Sequence, residues 1–74
     1  MHLDVVIADQ DVELAELYCR FLAENGFSAK TAGDGLECLR KVRRHAPDVL
    51  ILDCELPWGD AEGVLACLRE YGQW

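Results

Sequence analysis

Hydrophobic and polar positions follow two rhythms along this chain. From Leu3 to Ala8 the residues are mostly apolar, and the run stops at Asp9-Gln10-Asp11. That is the pattern of a short buried strand ending in a polar turn. The rhythm then changes: Leu14, Leu17, Tyr18, Phe21 and Leu22 recur at spacings of three and four, laying one apolar stripe along a helix. Asp11 stands where a side chain caps such a helix and Glu13 falls in its first turn, both suited to the positive end of the helix dipole. Asn25-Gly26 supplies the left-handed position at which the helix ends. Phe27 to Ala32 alternates weakly and predicts a second strand. Gly33-Asp34-Gly35 turns the chain, and Asp34 with Glu37 resembles a capping box in which Asp takes the Ser/Thr role. Leu36, Leu39 and Val42 form a second helical stripe, halted before Pro47. Asp48-Val49-Leu50-Ile51-Leu52-Asp53 then sets four consecutive apolar residues between two aspartates, as in a strand covered on both faces. Cys54 to Asp60, with Pro57 and Gly59, reads as a loop. A third helix follows, directing Val64, Leu65, Leu68 and Tyr71 inward.

The resulting order, βαβαβα, predicts an α/β protein. Strands that alternate with helices pair in parallel through right-handed crossovers. Wound in the order 2-1-3, three such strands make a partial flavodoxin-like, doubly wound sheet. In sheets of this kind ligands bind outside the carboxyl ends of the strands, at the switch point between the first and third. Asp9 ends the first strand and Asp53 the third. The winding alone therefore brings these two carboxylates together, with Gln10, Asp11 and Glu55 nearby.

At 74 residues there is room for one core only. Seven basic against fourteen acidic side chains give a formal charge of −7, which argues against a nucleic-acid surface. Arg40, Lys41, Arg43 and Arg44 form the one basic cluster, and at helical spacing it reads as a solvated helix face. The four cysteines, Cys19, Cys38, Cys54 and Cys67, sit in or beside apolar-periodic segments without a CxxC pair. They read as free thiols rather than as a disulfide framework or a zinc site. No apolar run is long enough to span a bilayer or to act as a secretory signal, so no membrane association and a cytoplasmic location are expected.

Carboxylates clustered within a few ångströms repel unless a cation sits among them. Oxygen donors favour magnesium, calcium or manganese over zinc. Magnesium held by one or two carboxylates keeps positions open for phosphate oxygens, and an aspartate beside it can act as a nucleophile toward a phosphoryl group. Asp11 and Asp34 have a simpler role as helix caps. Asp53, placed after four apolar residues at the switch point, fits a chemical role better.

These residues resemble the receiver domain of bacterial response regulators, the partners of sensor histidine kinases. Val5-Val6-Ile7-Ala8-Asp9-Gln10-Asp11 is similar to that family's first strand and acidic pocket, and Thr31-Ala32-Gly33-Asp34-Gly35 to the turn before its second helix. Leu50-Ile51-Leu52-Asp53-Cys54-Glu55-Leu56-Pro57 resembles its phosphorylation-site motif. The resemblance implies that Asp53 is the phosphoacceptor and that Mg2+ is held by Asp9, Asp53, the Gln10 position and the backbone carbonyl of Glu55. The implied phosphodonor is a histidine kinase or a phosphotransfer protein.

Three departures accompany the resemblance. Gln10 stands where the family commonly has a second acidic residue, which predicts weaker magnesium binding. Ala61 replaces a common glycine in the loop that also carries Trp58. The resemblance also stops after the third helix, so residues 1–74 read as a single incomplete receiver domain. The family's switch hydroxyl and phosphoryl-contacting lysine lie in later elements, and neither Thr31, Lys30 nor Lys41 occupies those positions. Such a truncation is expected to leave the third strand as an exposed edge, with three expected outcomes: a marginal monomer, a homodimer that completes the sheet across chains, or dependence on a missing segment. The expected function is thus a phosphoacceptor module, not an enzyme. The alternative is a degenerate receiver fragment acting by protein–protein association without phosphorylation. A magnesium-dependent phosphohydrolase is disfavoured, because its two-carboxylate motif usually follows the first strand.

Overall fold

The N-terminal apolar run forms β1 (Asp4–Ala8), the middle strand of a parallel three-stranded sheet. The computed structural model describes residues 3–53 and 63–64. Within them β1 is followed by α1 (Val12–Glu24), β2 (Ser28–Ala32), α2 (Gly35–His45) and β3 (Val49–Leu52). Gly63 and Val64 are also helical. The strand order is β2-β1-β3, the 2-1-3 winding expected of this α/β class. The loop from Cys54, and Leu65, Leu68 and Tyr71 of the expected third helix, lie outside the described residues.

Both faces of the sheet are covered, and β1 is the element both coverings share. Val6, Ile7 and Ala8 are 0% exposed, as a central parallel strand should be. On one face Val5, Ile7 and Ala15 are buried together, flanked by Cys19, Leu22, Phe27 and Ala29. On the other, Ala8 and Ala32 meet Cys38 and Val42 of α2 and Val64, with Leu39, Leu50 and Leu52 packed around them. The register Val5↔Val49 to Ala8↔Leu52 follows from this alternation. Leu50 and Leu52 share the α2 face with Ala8, while Val49 and Ile51 fall on the α1 face.

The helix stripes meet the sheet differently from the expectation. In α1 it is the small Ala15 that is buried, with Cys19 and Leu22 beside it, whereas Leu14, Leu17, Tyr18 and Phe21 are exposed. The helix lies over β1 and β2, the strands it connects. A small residue at the contact lets it approach closely, and the bulkier side chains are left out of that contact. In α2 the buried set is Gly35, Cys38 and Val42 with Leu39 beside them, and Leu36 is exposed. Along β3, Leu50 and Leu52 pack against the core, while Val49 and Ile51 remain about two-fifths exposed.

The caps form where their residue types predict. Asp11 Oδ1 accepts from Leu14 N at 3.1 Å at the start of α1. Gly26 takes the left-handed conformation, φ 87°, just past its end. Asp34 Oδ1 accepts from Glu37 N at 2.8 Å at the start of α2. The reciprocal contact reaches one residue further back than in the usual capping box: Glu37 Oε2 accepts from Gly33 N at 3.1 Å. Lys41 is not part of a solvated basic face. It is half-buried, ion-pairs with Glu37 at 3.0 Å and donates to the Thr31 carbonyl, tying α2 to β2. Arg40, Arg43 and Arg44 are exposed.

These contacts give Glu37 a defined pH signature. The Gly33 amide, and then the Lys41 hydrogen bond, hold its carboxyl below the ordinary value of 4.5. A depressed folded-state value stabilises the fold above pH 4.5, and that contribution is lost as pH falls through the folded value. Glu37→Gln is therefore expected to lower the urea midpoint at neutral pH, with the difference from the parent shrinking well below pH 4.5. An equal difference at both pH values would show that the contact is not ionic.

Candidate functional site

Parallel pairing sets the positions of the acidic residues. Ala8 and Leu52 are register partners at the last paired position of β1 and β3, so Asp9 and Asp53 are the next residues on adjacent strands. Asp53 N donates to Ala8 O at 2.8 Å, and Asp9 N donates to Ala32 O at 3.0 Å. The ladder thus continues through both aspartates, and neighbouring strands lie about 4.8 Å apart. Strand alternation assigns Asp9 and Asp53 to one side, the α1 side, because both follow the parity of Ile7 and Ile51. Both are half-buried. Two carboxyl groups are therefore brought together at the carboxyl end of the sheet, where the 2-1-3 winding has its switch point.

The residues next to them divide the work. Asp9 Oδ1 accepts from Asp11 N at 2.9 Å, a short local turn that orients the Asp9 carboxylate. Asp11 spends Oδ1 on the α1 cap, as its sequence position suggests. Gln10 is exposed between them. The positive end of α1 starts immediately after this turn, which favours negative charge nearby. Glu55, Trp58, Gly59 and Ala61 lie outside the described residues.

The donor set is all oxygen and thus suits a hard cation. Among the described residues no three His, Cys, Asp or Glu side chains are grouped to hold a metal ion, because Asp11 is turned to its helix and Gln10 carries no charge. The two strand-end carboxylates are what the described residues offer, and magnesium is commonly bound by one or two carboxylates with water completing the shell.

The cysteines stand apart from this chemistry. Among the described residues Cys19 and Cys38 are free thiols. Cys19 Sγ donates to the Ala29 carbonyl at 3.1 Å. Burial pushes the Cys38 thiol up to about 11, so it stays neutral and unreactive near neutral pH. Sequence reasoning did not find the Glu37–Lys41–Thr31 tie, although the four-residue spacing of Glu37 and Lys41 was its signal. No helix among the described residues is long and apolar enough to cross a membrane.

A fold of this winding with paired aspartates at its switch point defines a class, and comparison with known proteins gives the family. Residues 5–72 match the response regulator receiver domain model, and the chain belongs to that family of two-component signalling modules. It is 38% identical over 68 residues to response regulator MprA of Mycobacterium leprae, spanning 92% of this chain and 30% of that protein. It is 35% identical over 69 residues to the DNA-binding response regulator MtrA of Mycobacterium tuberculosis, spanning 93% of this chain and 30% of that one. The chain therefore covers under a third of these relatives, and the term DNA-binding describes the whole of MtrA. Among solved structures, the receiver domain of the Francisella response regulator 1452 superimposes with a TM-score of 0.90 at 30% identity, covering 96% of this chain and 59% of that one. The BeF3-activated receiver domain of Klebsiella pneumoniae RstA gives 0.85 at 27% identity, covering 96% and 59%.

Proposed function

We propose that this chain is a phosphoacceptor module acting in the cytoplasm, in which Asp53 receives a phosphoryl group from the phosphohistidine of a histidine kinase or phosphotransfer protein. The observation that carries this reading is the register that makes Asp9 and Asp53 neighbours at the carboxyl end of the sheet. A carboxylate oxygen of Asp53 attacks phosphorus in line. The phosphorus–nitrogen bond to the donor breaks, and its electron pair leaves on the imidazole nitrogen. Asp9 and Asp53, with the Gln10 position and the Glu55 carbonyl, would hold Mg2+. When bound, that ion offsets the negative charge on the transferring group. The turn from Asp9 to Asp11 aims the Asp9 carboxylate, and the start of α1 adds its positive dipole end.

The test is intact-mass spectrometry after incubation with a small-molecule phosphodonor and magnesium, with circular dichroism confirming the folded state. One added phosphoryl group supports the reading. A folded chain that takes up none would favour the second reading, a degenerate receiver acting by association. That second reading draws on Gln10 and on the commitment of Asp11 to its helix.

Gln10 gives a separate prediction. Restoring a negative charge beside a divalent ion in a partly buried site strengthens the attraction substantially. Gln10→Glu is expected to tighten magnesium binding about tenfold or more in calorimetric titration. An unchanged affinity would remove position 10 from the metal site.

A further inference from the structure

We propose that Glu37 and Lys41 are positioning residues for the acidic pair, acting on Asp9 and Asp53 through the backbone at the end of β2. Their consequence for metal binding rests on the phosphoacceptor reading, whereas their hold on the two aspartates does not.

Three successive residues at the end of β2 carry the linkage. The Thr31 carbonyl accepts from Lys41 Nζ. The Ala32 carbonyl accepts from Asp9 N at 3.0 Å. Gly33 N donates to Glu37 Oε2 at 3.1 Å, and Glu37 Oε1 pairs with Lys41 Nζ at 3.0 Å. One carboxylate and one ammonium of α2 thus grip the strand end on either side of Ala32, the residue that holds Asp9. Successive carbonyls of a strand point to opposite edges. Ala32 O is turned toward β1, so Thr31 O faces the outer edge of β2, which pairs with no strand among the described residues. Lys41 gives that carbonyl the partner a strand would otherwise supply.

This grip is more than a helix cap. The cap of α2 is made by Asp34, whose Oδ1 accepts from Glu37 N at 2.8 Å. In the usual capping box the glutamate returns to the N–H of the cap residue itself. Here Glu37 passes over Asp34 and takes Gly33 N, the first residue beyond β2. Its carboxylate therefore joins the helix to the strand end, a contact that the cap does not require.

From β2 the linkage reaches the site through one peptide unit. The group between Ala8 and Asp9 accepts from Asp53 N at 2.8 Å through its C=O and donates to Ala32 O at 3.0 Å through its N–H. A peptide unit is planar and stiff, so these two bonds do not shift independently. The position of Ala32 fixes the tilt of the unit, and the tilt sets how Asp53 stands beside Asp9. The linkage crosses all three strands at their carboxyl ends, and hydrogen bonds chained in this way also polarise one another. Two carboxylates share an ion only while their spacing is held. Loosening the far end of the linkage therefore weakens the site without altering any group in it.

The experiment compares the 74-residue chain with Lys41→Met, which keeps an unbranched apolar stem and removes the donor. Amide hydrogen exchange without metal is the first readout. The Asp9 and Asp53 N–H groups are expected to exchange about tenfold faster in the variant, while Val6, 0% exposed in the middle of β1, keeps the parent's rate. A merely structural loss would speed all three alike. Calorimetric titration with magnesium is the second readout, and the affinity is expected to fall about threefold to tenfold. Loss of a positive charge by itself favours a divalent cation, so weaker binding carries the sign of lost positioning. Arg44→Met, which removes an exposed charge from the same helix, should neither speed exchange at the aspartates nor weaken magnesium binding. The proposal is overturned if Asp9 and Asp53 exchange at the parent's rate, if Val6 accelerates with them, or if Lys41→Met binds magnesium as tightly as the parent. A parent chain that bound no magnesium would count against the phosphoacceptor reading, and the exchange contrast would then decide the positioning alone.

Discussion

Asp53→Asn is expected to abolish phosphoryl uptake completely while leaving the far-ultraviolet circular dichroism of the chain unchanged. The two halves of that expectation have different causes. An amide has almost the shape of a carboxylate, and Asp53 is tied into the sheet through its backbone N–H to Ala8 O at 2.8 Å, a bond the substitution keeps. The amide nitrogen and oxygen are poor nucleophiles toward phosphorus, and the variant also removes one of the two charges that would attract a divalent ion. The mass increment expected of the parent chain should therefore be absent from the variant. Phosphate that persisted on the variant would sink the assignment of Asp53.

Ile7→Ala has the largest expected effect on the fold. Ile7 is fully buried in the central strand and packs with Val5 and Ala15 beneath α1. Cutting a buried isoleucine to alanine removes its transfer free energy and leaves a cavity, together costing about 2–5 kcal/mol. Small domains sit near the low end of the usual ~5–15 kcal/mol of stability. The variant should thus be largely unfolded at room temperature, seen as lost helical signal and no cooperative urea transition. A cooperative transition with the parent's midpoint would mean that Ile7 is not at the centre of the core.

Some of this could be read directly from the sequence, and the reasons are local. Asp11 and Asp34 sit at the heads of amphipathic stretches, and each forms the cap its type favours. The Val49–Leu52 run announces a sheet strand, and alternating strands and helices leave few windings to choose from. The paired position of Asp9 and Asp53 followed from that winding. What remained hidden depended on the angle and depth at which a helix meets the sheet. Periodicity identifies Leu14, Leu17, Tyr18 and Phe21 as one stripe, but not that Ala15 would take the contact and leave Phe21 outside. Lys41 was equally hidden: its charge suggests solvent, while its long stem lets it reach the Thr31 carbonyl from a half-buried position.

At the end of the sheet remote from the aspartates, Asp4 N donates to Asp48 Oδ2 at 2.9 Å and Asp48 N donates to Asp4 O at 2.8 Å. This double clasp works like the zero mark of a ruler. Each residue of β3 advances about 3.3 Å along β1, and a slip of one notch would turn Asp53 to the opposite face of the sheet. A slip of two notches would restore its face but carry it about 6.6 Å away from Asp9, beyond the reach of an ion shared by both. The spacing of the acidic pair is thus quantised, and the clasp at Asp4 and Asp48 selects the single step at which the two carboxylates stand side by side.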